Sequence, residues 1–334
     1  MKKLAVLLLF ILLTGSFSVS LHAEEGESVL GKRYTEGFLS GALDPLWNSF
    51  SPALQQVFGS FAGFKEFYTQ IVITWEAESE LVQEEEMVYD NWLVYQGVRY
   101  FPRAQVHVVF EWAYNADGLI VGLQVFELPQ EAPTKFVDYQ TKTDLRLPFD
   151  QEWYVFWGGR TLAQNYHAAN VSQRFAYDFV VLEGGRTYRN DGVQNQDYYA
   201  FGLPILAPGA GIVLEVCDDI PDNNPGTMNP DQPLGNYVII DHQNGEYSFL
   251  AHFQQGSVIV SQGDYVSQGD LLGLCGNSGN SSEAHLHYHL QNTPLFLEGE
   301  GLPAQFMFYS VDGTFLQRGE PVQGNLVQHM GRVN

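Results

Sequence analysis

Three histidines stand at alternate positions in the segment SSEAHLHYHL, residues 281–290: His285, His287 and His289. In a β-strand, side chains two positions apart share a face, and their Cα atoms lie about 6.6 Å apart. This spacing lets one imidazole bind a metal ion while its neighbour contacts a substrate bound to that ion. Alternation of this kind is also typical of a polar stripe on the wet face of a strand. Other parts of the chain must decide between a metal site and a polar stripe.

Further candidate ligands occur in two other segments. QNYHAANVSQRFAYDFVVL contains His167 and also Asp178, which lies among apolar residues with the alternation of a strand. A carboxylate in such surroundings is costly to bury without a counter-charge or a metal ion. GEYSFLAHF contains His252, near the end of another predicted strand. Two histidines and one carboxylate, with a fourth position left for water, form the usual open zinc site of a hydrolase.

The cysteines and the acidic loop offer weaker candidates. Cys217 and Cys275 are the two cysteines of the chain, which excludes a cysteine-rich zinc site. In an exported protein they could form one disulfide or remain two buried thiols. In the long loop 217–235, Asp218, Asp219 and Asp222 lack the spacing of a calcium site, so we predict solvated loop acids.

Three other features have simpler interpretations. His107 stands alone among strand residues, and His242 lies where a strand enters a turn, so we predict structural roles for both. The segment VIVSQGDYVSQGDLLGLCG has the turns of a lipoyl or biotinyl carrier domain. Such a domain needs a lysine at a hairpin tip, and no lysine follows Lys142. A carrier function is therefore excluded.

Composition and charge restrict the class of protein. The chain has 334 residues, 45% of them hydrophobic, and a net charge of −23. So acidic a surface repels nucleic acid and anionic membranes, and neither is an expected partner. Residues 1–23 predict a secretory signal, with two lysines, an apolar run too short to span a bilayer, and cleavage after Ala23 or Ser20. We therefore expect a secreted or periplasmic protein without a lipid or membrane anchor.

Hydrophobic periodicity divides the rest of the chain. Residues 31–71 have a helical period, and Ser51 before Pro52 predicts a capped helix start. After residue 73 the period becomes two, with a hairpin turn at 115–118. This predicts a small α+β domain over residues 30–130, followed by a linker at 127–135. Beyond the linker, short strands rich in glycine and asparagine predict an all-β domain.

GNYVIIDHQNGEYSFLAHF and GDYVSQGDLLGLCGNSGNSSEAHLHYHL, together with the upstream histidine and aspartate, resemble the lysostaphin/LytM-type zinc metallopeptidases. The resemblance covers about residues 145–310 and leaves 311–334 as a C-terminal extension. It implies an antiparallel β-sandwich with a long groove, one Zn²⁺ ion, and cleavage of peptide bonds in bacterial cell-wall peptidoglycan. Residues 30–130 loosely resemble the small domains of unknown function that precede catalytic domains in exported bacterial hydrolases.

Carried over residue by residue, the resemblance implies that His167, Asp178 and His287 bind the zinc ion. It also implies that His252 and His285 are the two catalytic histidines that do not bind it. Ten residues separate His167 from Asp178, where many relatives have three, which suggests a subgroup. His289 stands where many relatives have an acid, and we expect it to support the site or the packing around it.

These inferences predict an exported zinc endopeptidase whose partners are peptidoglycan peptides. Two alternatives stay open: a catalytically silent wall-binding or hydrolase-activating protein on the same scaffold, and a protease of other glycine-rich extracellular proteins. Gly276, Asn277 and Gly279 precede the histidine strand and predict a close backbone approach. The sequence indicates neither the role of the N-terminal domain nor an oligomeric state.

Overall fold

The computed structural model describes residues 30–75, 78–89 and 92–331. The chain divides into two compact units, Met1–Leu128 and Pro129–Asn334. The predicted linker at 127–135 includes this division, whereas the predicted signal peptide lies outside the described residues. No described helix is both long enough and apolar enough to cross a membrane.

Four helices begin the first unit. They are α1 (Leu30–Leu39), α2 (Leu43–Ser49), α3 (Pro52–Phe58) and α4 (Phe61–Trp75). The Ser51 side chain accepts a hydrogen bond from the Leu54 N–H, and Pro52 occupies the first turn of α3. The capped helix start that the sequence predicts is thereby confirmed.

A four-stranded antiparallel sheet completes the first unit. Its strands pair in chain order: β1 (Glu80–Tyr89), β2 (Trp92–Phe101), β3 (Val106–Tyr114) and β4 (Ile120–Glu127). Gly118 closes the β3–β4 turn by donating its N–H to the Asn115 carbonyl over 2.9 Å, and its φ of 81° suits glycine. Helices followed by an antiparallel sheet confirm the predicted α+β class.

Aromatic side chains form the interior of the first unit. Phe38 of α1 is fully buried against Phe64 of α4 and Phe110 of β3, with ring centroids 6.0 Å away in both cases. His107 of β3 packs on the ring of Tyr100, 4.9 Å between centroids, which agrees with its predicted structural role. These contacts hold the helices on one face of the sheet.

The second unit consists of one large antiparallel sheet and a two-stranded ribbon. Its strands are β5 (Trp153–Trp157), β6 (Tyr177–Val180), β7 (Pro204–Leu206), β8 (Gly211–Cys217), β9 (Asn236–Asp241), β10 (Tyr247–Phe253), β11 (Tyr265–Val266), β12 (Leu271–Leu274), β13 (Leu286–Gln291), β14 (Gly301–Leu302), β15 (Phe306–Val311), β16 (Thr314–Gly319) and β17 (Leu326–His329). The large sheet has the order β11-β8-β9-β10-β13-β6-β5-β17-β15-β16, and β14 pairs with β13. The largely antiparallel β architecture is as predicted.

The main core of this unit lies between the large sheet and the ribbon formed by β7 and β12. Ile205 of β7 and Leu272 of β12 are fully buried with Val238, Ile240 and Leu250 of the sheet. The same core continues along the large sheet to Trp153 of β5, Phe306 of β15 and Val327 of β17. The residues that alternate with these core residues along each strand project from the opposite face of the sheet.

That opposite face carries a smaller apolar cluster and the polar residues of interest. Ile239 and Phe249 are buried there with Leu234 and Ala251. Successive residues of a strand point to opposite faces, so Val238 lines the main core while Ile239 belongs to the other side. The candidate site lies on the Ile239 side of the sheet.

Two further findings concern the C-terminal segment and the thiols. Within the predicted extension 311–334, β16 and β17 join the large sheet, and β17 pairs with β5 through Val327 and Trp153.

Cys217 is partly exposed, Cys275 is buried, and both are free thiols. Of the two alternatives for the cysteines, the structure has the unpaired one.

Candidate metal centre

A row of side chains crosses the large sheet at right angles to its strands. Trp157 of β5 stands opposite Asp178 of β6, and Asp178 stands opposite His287 of β13. His287 in turn pairs with Ala251 of β10. Directly opposed residues project from the same face of a sheet. Strand register therefore brings Asp178 and His287 together, although 109 positions separate them in the chain.

His167 reaches this row from a loop. It lies in a short 3-10 helix, Tyr166–Ala169, which Asn165 caps. Asn165 Oδ1 accepts the backbone N–H of His167 over 3.1 Å and lies 2.8 Å from its Nδ1. With Nδ1 held in this way, the other nitrogen, Nε2, lies 3.6 Å from Asp178 Oδ2.

His167, Asp178 and His287 form a buried donor set of two imidazoles and one carboxylate. Each offers one ligand atom, and these atoms all lie within 4.8 Å of one another. His287 Nδ1 is 2.8 Å from Asp178 Oδ1. In a tetrahedral zinc site with bonds of about 2.0 Å, ligand atoms lie about 3.3 Å apart. The separations of 2.8 and 3.6 Å bracket that value, so the residues present fit a zinc ion.

His252 and His285 stand beside this set. The pairing of β10 with β9 has a bulge between Ala251 and Phe253, and His252 within it has a φ of 68°. This left-handed backbone places the His252 ring 4.7 Å from the His285 ring and 5.8 Å from the His287 ring. His285 lies just before β13 rather than inside it. All five residues predicted from the sequence therefore meet at one place.

The imidazoles of His252 and His285 each form a hydrogen bond through Nδ1. His252 Nδ1 lies 2.8 Å from the Ser278 carbonyl oxygen, and His285 Nδ1 lies 2.9 Å from the Glu283 carbonyl oxygen. A carbonyl can only accept, so both Nδ1 atoms carry the proton. The Nε2 atom of each neutral ring then has a free lone pair, and that of His285 lies 3.7 Å from Asp178 Oδ1.

Burial and neighbouring charge set the protonation of the site. Burial opposes ionisation of Asp178, but His167, His285 and His287 hold the pKa of its carboxyl well below the usual range. Burial lowers the pKa of His167 to about 3 and that of His252 well below 6.5. At neutral pH the carboxylate is therefore charged and these two imidazoles are neutral. Metal binding requires the charged carboxylate and the neutral His167 ring, because ligands must be deprotonated.

Residues 192–298 match the family model described as peptidase family M23. The chain contains an M23 peptidase domain. The matched segment includes His252, His285 and His287, whereas His167 and Asp178 precede it. The family match does not include these two residues. Strand pairing and the capped 3-10 helix bring them next to the three histidines of the matched segment.

Named relatives of the M23 domain include two proteins of Vibrio cholerae. The peptidoglycan DD-endopeptidase ShyA is 34% identical over 90 residues, which cover 27% of this chain and 17% of ShyA. The peptidoglycan DD-endopeptidase ShyC is 34% identical over 93 residues, which cover 28% of this chain and 18% of ShyC. The chain thus spans less than a fifth of the length of either relative. Among solved structures, the catalytic domain of lysostaphin from Staphylococcus simulans is 19% identical, with a TM-score of 0.27, and 46% of this chain aligns with 88% of that domain.

The loop before β13 packs backbone against backbone in the M23 domain. A Cβ added to Gly276 would lie 2.2 Å from the Gln254 nitrogen, and one added to Gly235 would lie 2.4 Å from the Ser278 carbonyl carbon. No real Cβ tolerates such distances, so side chains are excluded at both positions. The close approach predicted for this loop fixes Ser278, whose carbonyl holds His252.

The acids of the loop 217–235 hold this part of the chain together. Asp222 accepts the backbone N–H of Asn277 over 2.7 Å and that of Gln255 over 3.1 Å. Asp218 accepts the backbone N–H of Val258 over 3.2 Å. The prediction of solvated loop acids is therefore wrong for Asp218 and Asp222, because their oxygens bind backbone amides.

His289 is fully enclosed behind the proposed metal ligand. Its Nδ1 lies 3.0 Å from His287 Nε2, and its ring stacks on Phe249 with centroids 4.5 Å apart. Its own Nε2 is buried without a hydrogen-bond partner. His242, by contrast, lies apart from the site and is held by Ala210 O and Ser248 Oγ, in agreement with its predicted structural role.

Sequence reasoning missed several residues around the M23 site. Asn165 and Ser278 fix the tautomers of the two imidazoles that they contact. The centroid of the Tyr166 ring lies 4.0 Å from that of His167 and 5.4 Å from that of Trp157. The two aromatic rings form a wall beside the site. Asn165 had a detectable signal, because asparagine is one of the preferred residues at a helix N-cap. The tertiary contact of Ser278 left no signal in the sequence.

Proposed function

We propose that this protein is an exported zinc endopeptidase that hydrolyses peptide bonds in peptidoglycan through a zinc-activated water. The observation that carries the proposal is the buried triad of His167, Asp178 and His287 with two further imidazoles beside it. Membership of the M23 family and the peptidoglycan endopeptidases among the relatives support the choice of reaction and substrate.

The triad supplies the side chains that would hold the metal. Nε2 of His167, the carboxylate of Asp178 and Nδ1 of His287 would be its ligands, and the remaining position would face the substrate. A bound zinc ion lowers the pKa of its water toward neutrality and polarises a carbonyl group. Asn165 and His289 would keep the two ligand imidazoles in the required orientation.

His252 and His285 would act on the proton of the attacking water. Each presents a free Nε2 lone pair, so each can accept a proton from the attacking water. We assign the acceptor role to His285, because its ring is the less buried of the two and its Nε2 lies 3.7 Å from Asp178 Oδ1, next to the proposed metal position. His252 is more deeply enclosed, and burial lowers its pKa, so it would stay neutral and orient the water through Nε2.

The protonated His285 then has an N–H at Nε2 that can be donated. That donor would first stabilise the substrate oxygen as negative charge develops and then pass the proton to the leaving amine. The exposed ring of Tyr166 beside His167 would form one wall of the substrate groove.

Digestion of purified peptidoglycan tests the proposal. The protein lacking residues 1–23 should release soluble fragments, and mass analysis should identify a cleaved peptide bond. A chelator should stop the release, and added Zn²⁺ should restore it. The His285→Ala and His252→Ala variants should retain zinc but release few fragments, since each removes one proposed catalytic imidazole that is not a proposed ligand.

Two results would contradict the proposal and favour one of the alternatives. Binding to the wall without fragment release in the zinc-loaded protein would indicate a silent binding or activating protein. Cleavage of glycine-rich soluble proteins, with intact peptidoglycan under the same conditions, would indicate a protease of other extracellular substrates. Export is tested separately, by determining the N-terminal residue of the protein recovered outside the cytoplasm, which should be Glu24.

A further inference from the structure

The turn that carries His167 is bonded to a distant segment of the chain. The carbonyl of Ala168, the next residue, accepts the Ala132 N–H over 2.7 Å and Arg174 Nη1 over 3.0 Å. Ala132 and Arg174 are both buried. Ala132 belongs to the predicted linker 127–135, in the part that lies within the second unit. The linker and the loop after His167 therefore converge on one carbonyl beside a proposed metal ligand.

An ion pair closes this contact. Arg174 Nη2 lies 3.0 Å from Glu131 Oε2, and Glu131 Oε1 accepts the Leu162 backbone N–H over 3.3 Å. The guanidinium group also stands over the Phe175 ring, 5.6 Å from its centroid. The side chain of Arg174 is 8% exposed and that of Glu131 is 41% exposed. The cation is thus enclosed by a backbone carbonyl, an aromatic ring and a surface acid, which are partners that a buried charge requires.

This contact gives a role to the long spacing between His167 and Asp178. Ten residues separate the two proposed ligands, and Arg174 is one of them. Another residue of the same segment, Val171, accepts the Gly301 N–H of β14 through its carbonyl over 2.9 Å. The linker and β14 therefore hold the segment between the two proposed ligands at separate points.

Asn165 and the linker hold opposite ends of the 3-10 helix that contains His167. Asn165 caps the beginning of this helix and contacts the His167 ring, whereas the linker bonds to Ala168 near its end. The imidazole reaches Asp178 from the orientation that this backbone gives it. A ligand that is fixed in advance loses little conformational freedom when the ion binds. Contacts that fix the turn therefore favour metal binding without touching the metal.

We propose that Glu131 and Ala132 of the linker form a clamp with Arg174 that positions His167 for zinc. Arg174 is a positioning residue, because it contacts the turn next to the ligand. The clamp makes the linker part of the support of the metal centre, so a change in the linker alters the zinc affinity. The inference rests on the proposed function, because it takes His167 as a zinc ligand.

Replacing Arg174 by methionine tests the clamp with little disturbance of the fold. Methionine fills the space of the hydrocarbon stem but removes the donors to Ala168 and Glu131. It also removes Nε, which is buried without a hydrogen-bond partner among the described residues, and the partly exposed Glu131 can be solvated. The zinc dissociation constant should rise about tenfold, as for other residues that orient metal ligands.

Arg146→Met is the matched control. The Arg146 side chain is 12% exposed, pairs with the exposed Asp150, and donates to the carbonyls of Leu147 and Phe149. None of these partners belongs to residues 165–178. Arg146→Met should therefore keep the zinc dissociation constant of the parent. The two methionine variants should have similar midpoints of urea unfolding without zinc, because each loses one ion pair of the same kind.

A second variant tests the linker side of the clamp. Glu131→Gln removes the charge of the partly exposed partner, so the zinc dissociation constant should rise about threefold. If Glu131 acts through Arg174, the same change in the Arg174→Met protein should have no further effect. Parent-like zinc affinity in Arg174→Met, or a Glu131→Gln effect that persists in the double variant, would overturn the proposal.

Hydrogen exchange of the zinc-free proteins keeps this result distinct from failure of the proposed function. Within the turn, Ala168 N–H donates to the Asn165 carbonyl over 3.0 Å, and Asn170 N–H donates to the His167 carbonyl over 2.8 Å. In Arg174→Met both amides should exchange about tenfold faster than in the parent and in Arg146→Met, while the amides of β13 keep their rates. If the parent binds no zinc, the proposed function is wrong, and this exchange decides the clamp alone. Parent-like exchange of the turn in Arg174→Met would refute the clamp.

Discussion

Replacing His289 by phenylalanine would test how the metal ligand His287 is held. A neutral histidine that binds a metal through Nδ1 must carry its proton on Nε2. That Nε2 lies 3.0 Å from His289 Nδ1, so His289 would accept the proton in a hydrogen bond. Phenylalanine keeps a ring to stack on Phe249 but removes the acceptor. The variant therefore isolates the hydrogen bond from the packing.

The structure sets the size of the expected effect. In the metal-bound variant the His287 Nε2–H would be buried without a partner, and such a group costs about 1–3 kcal/mol. The loss corresponds to about tenfold to hundredfold weaker metal binding, as for other residues that orient metal ligands. Without metal, His287 can move its proton to Nδ1 and donate it to Asp178, 2.8 Å away. The free energy of unfolding of the metal-free variant should therefore stay within about 1 kcal/mol of the parent value.

Competition with a chromophoric chelator measures the zinc affinity, and urea unfolding of the metal-free proteins measures stability. His289→Asn is the conservative variant, because its Oδ1 can take the place of the lost Nδ1 and should recover part of the affinity. A zinc dissociation constant within threefold of the parent in His289→Phe would refute the role assigned to His289. So would equal losses of affinity in the phenylalanine and asparagine variants.

Four other outcomes follow from the described contacts. Metal-free protein should lose stability as the pH falls below 6.5, because the unfolded chain protonates His167 while burial lowers the pKa of this residue in the folded state to about 3. His167 should contribute about 2 kcal/mol of the loss at pH 5. Urea unfolding measures the loss, and this contribution should be absent in His167→Gln. His285→Ala should keep zinc and the melting temperature but reduce hydrolysis by about 10²–10⁴-fold, as wall digestion would show. Asp178→Asn should bind zinc at least about tenfold more weakly, as metal analysis would show. Gly276→Ala should lower the free energy of unfolding by about 2 kcal/mol or more, because its Cβ would lie 2.2 Å from a backbone nitrogen; a melting temperature equal to that of the parent would contradict this contact. Limited proteolysis should cut first within residues 127–135, and a first cut within residues 150–290 would show that the predicted boundary is wrong.

Several parts of the structure could be predicted because they depend on local sequence. Ser51 before Pro52 marks a helix start by itself, and the turn at 115–118 contains the residues that a hairpin requires. The cost of burying Asp178 among apolar strand residues pointed to a positive partner before any fold was known. Local periodicity was enough to predict the classes of both units, whereas the five residues that meet at the site follow from the resemblance to the lysostaphin/LytM-type peptidases.

Other parts depend on contacts that sequence spacing does not contain. The bulge that gives His252 its left-handed backbone depends on how β10 pairs with β9. The row from Asp178 through His287 to Ala251 depends on the register of three strands, two of which are far from β6 in the chain. The extension of the large sheet by β16 and β17 depends on their pairing with β15 and β5. Local periodicity cannot indicate which strand will be the neighbour of another.

A crystal structure with anomalous diffraction at the zinc absorption edge would locate the bound metal. We predict one anomalous peak in the second unit, bound by Nε2 of His167, a carboxylate oxygen of Asp178 and Nδ1 of His287. His252 and His285 should stand beside the ion without binding it. A peak whose ligands include His252 or His285, or zinc-soaked crystals without a peak at the triad, would contradict the assignment of the triad as the zinc site.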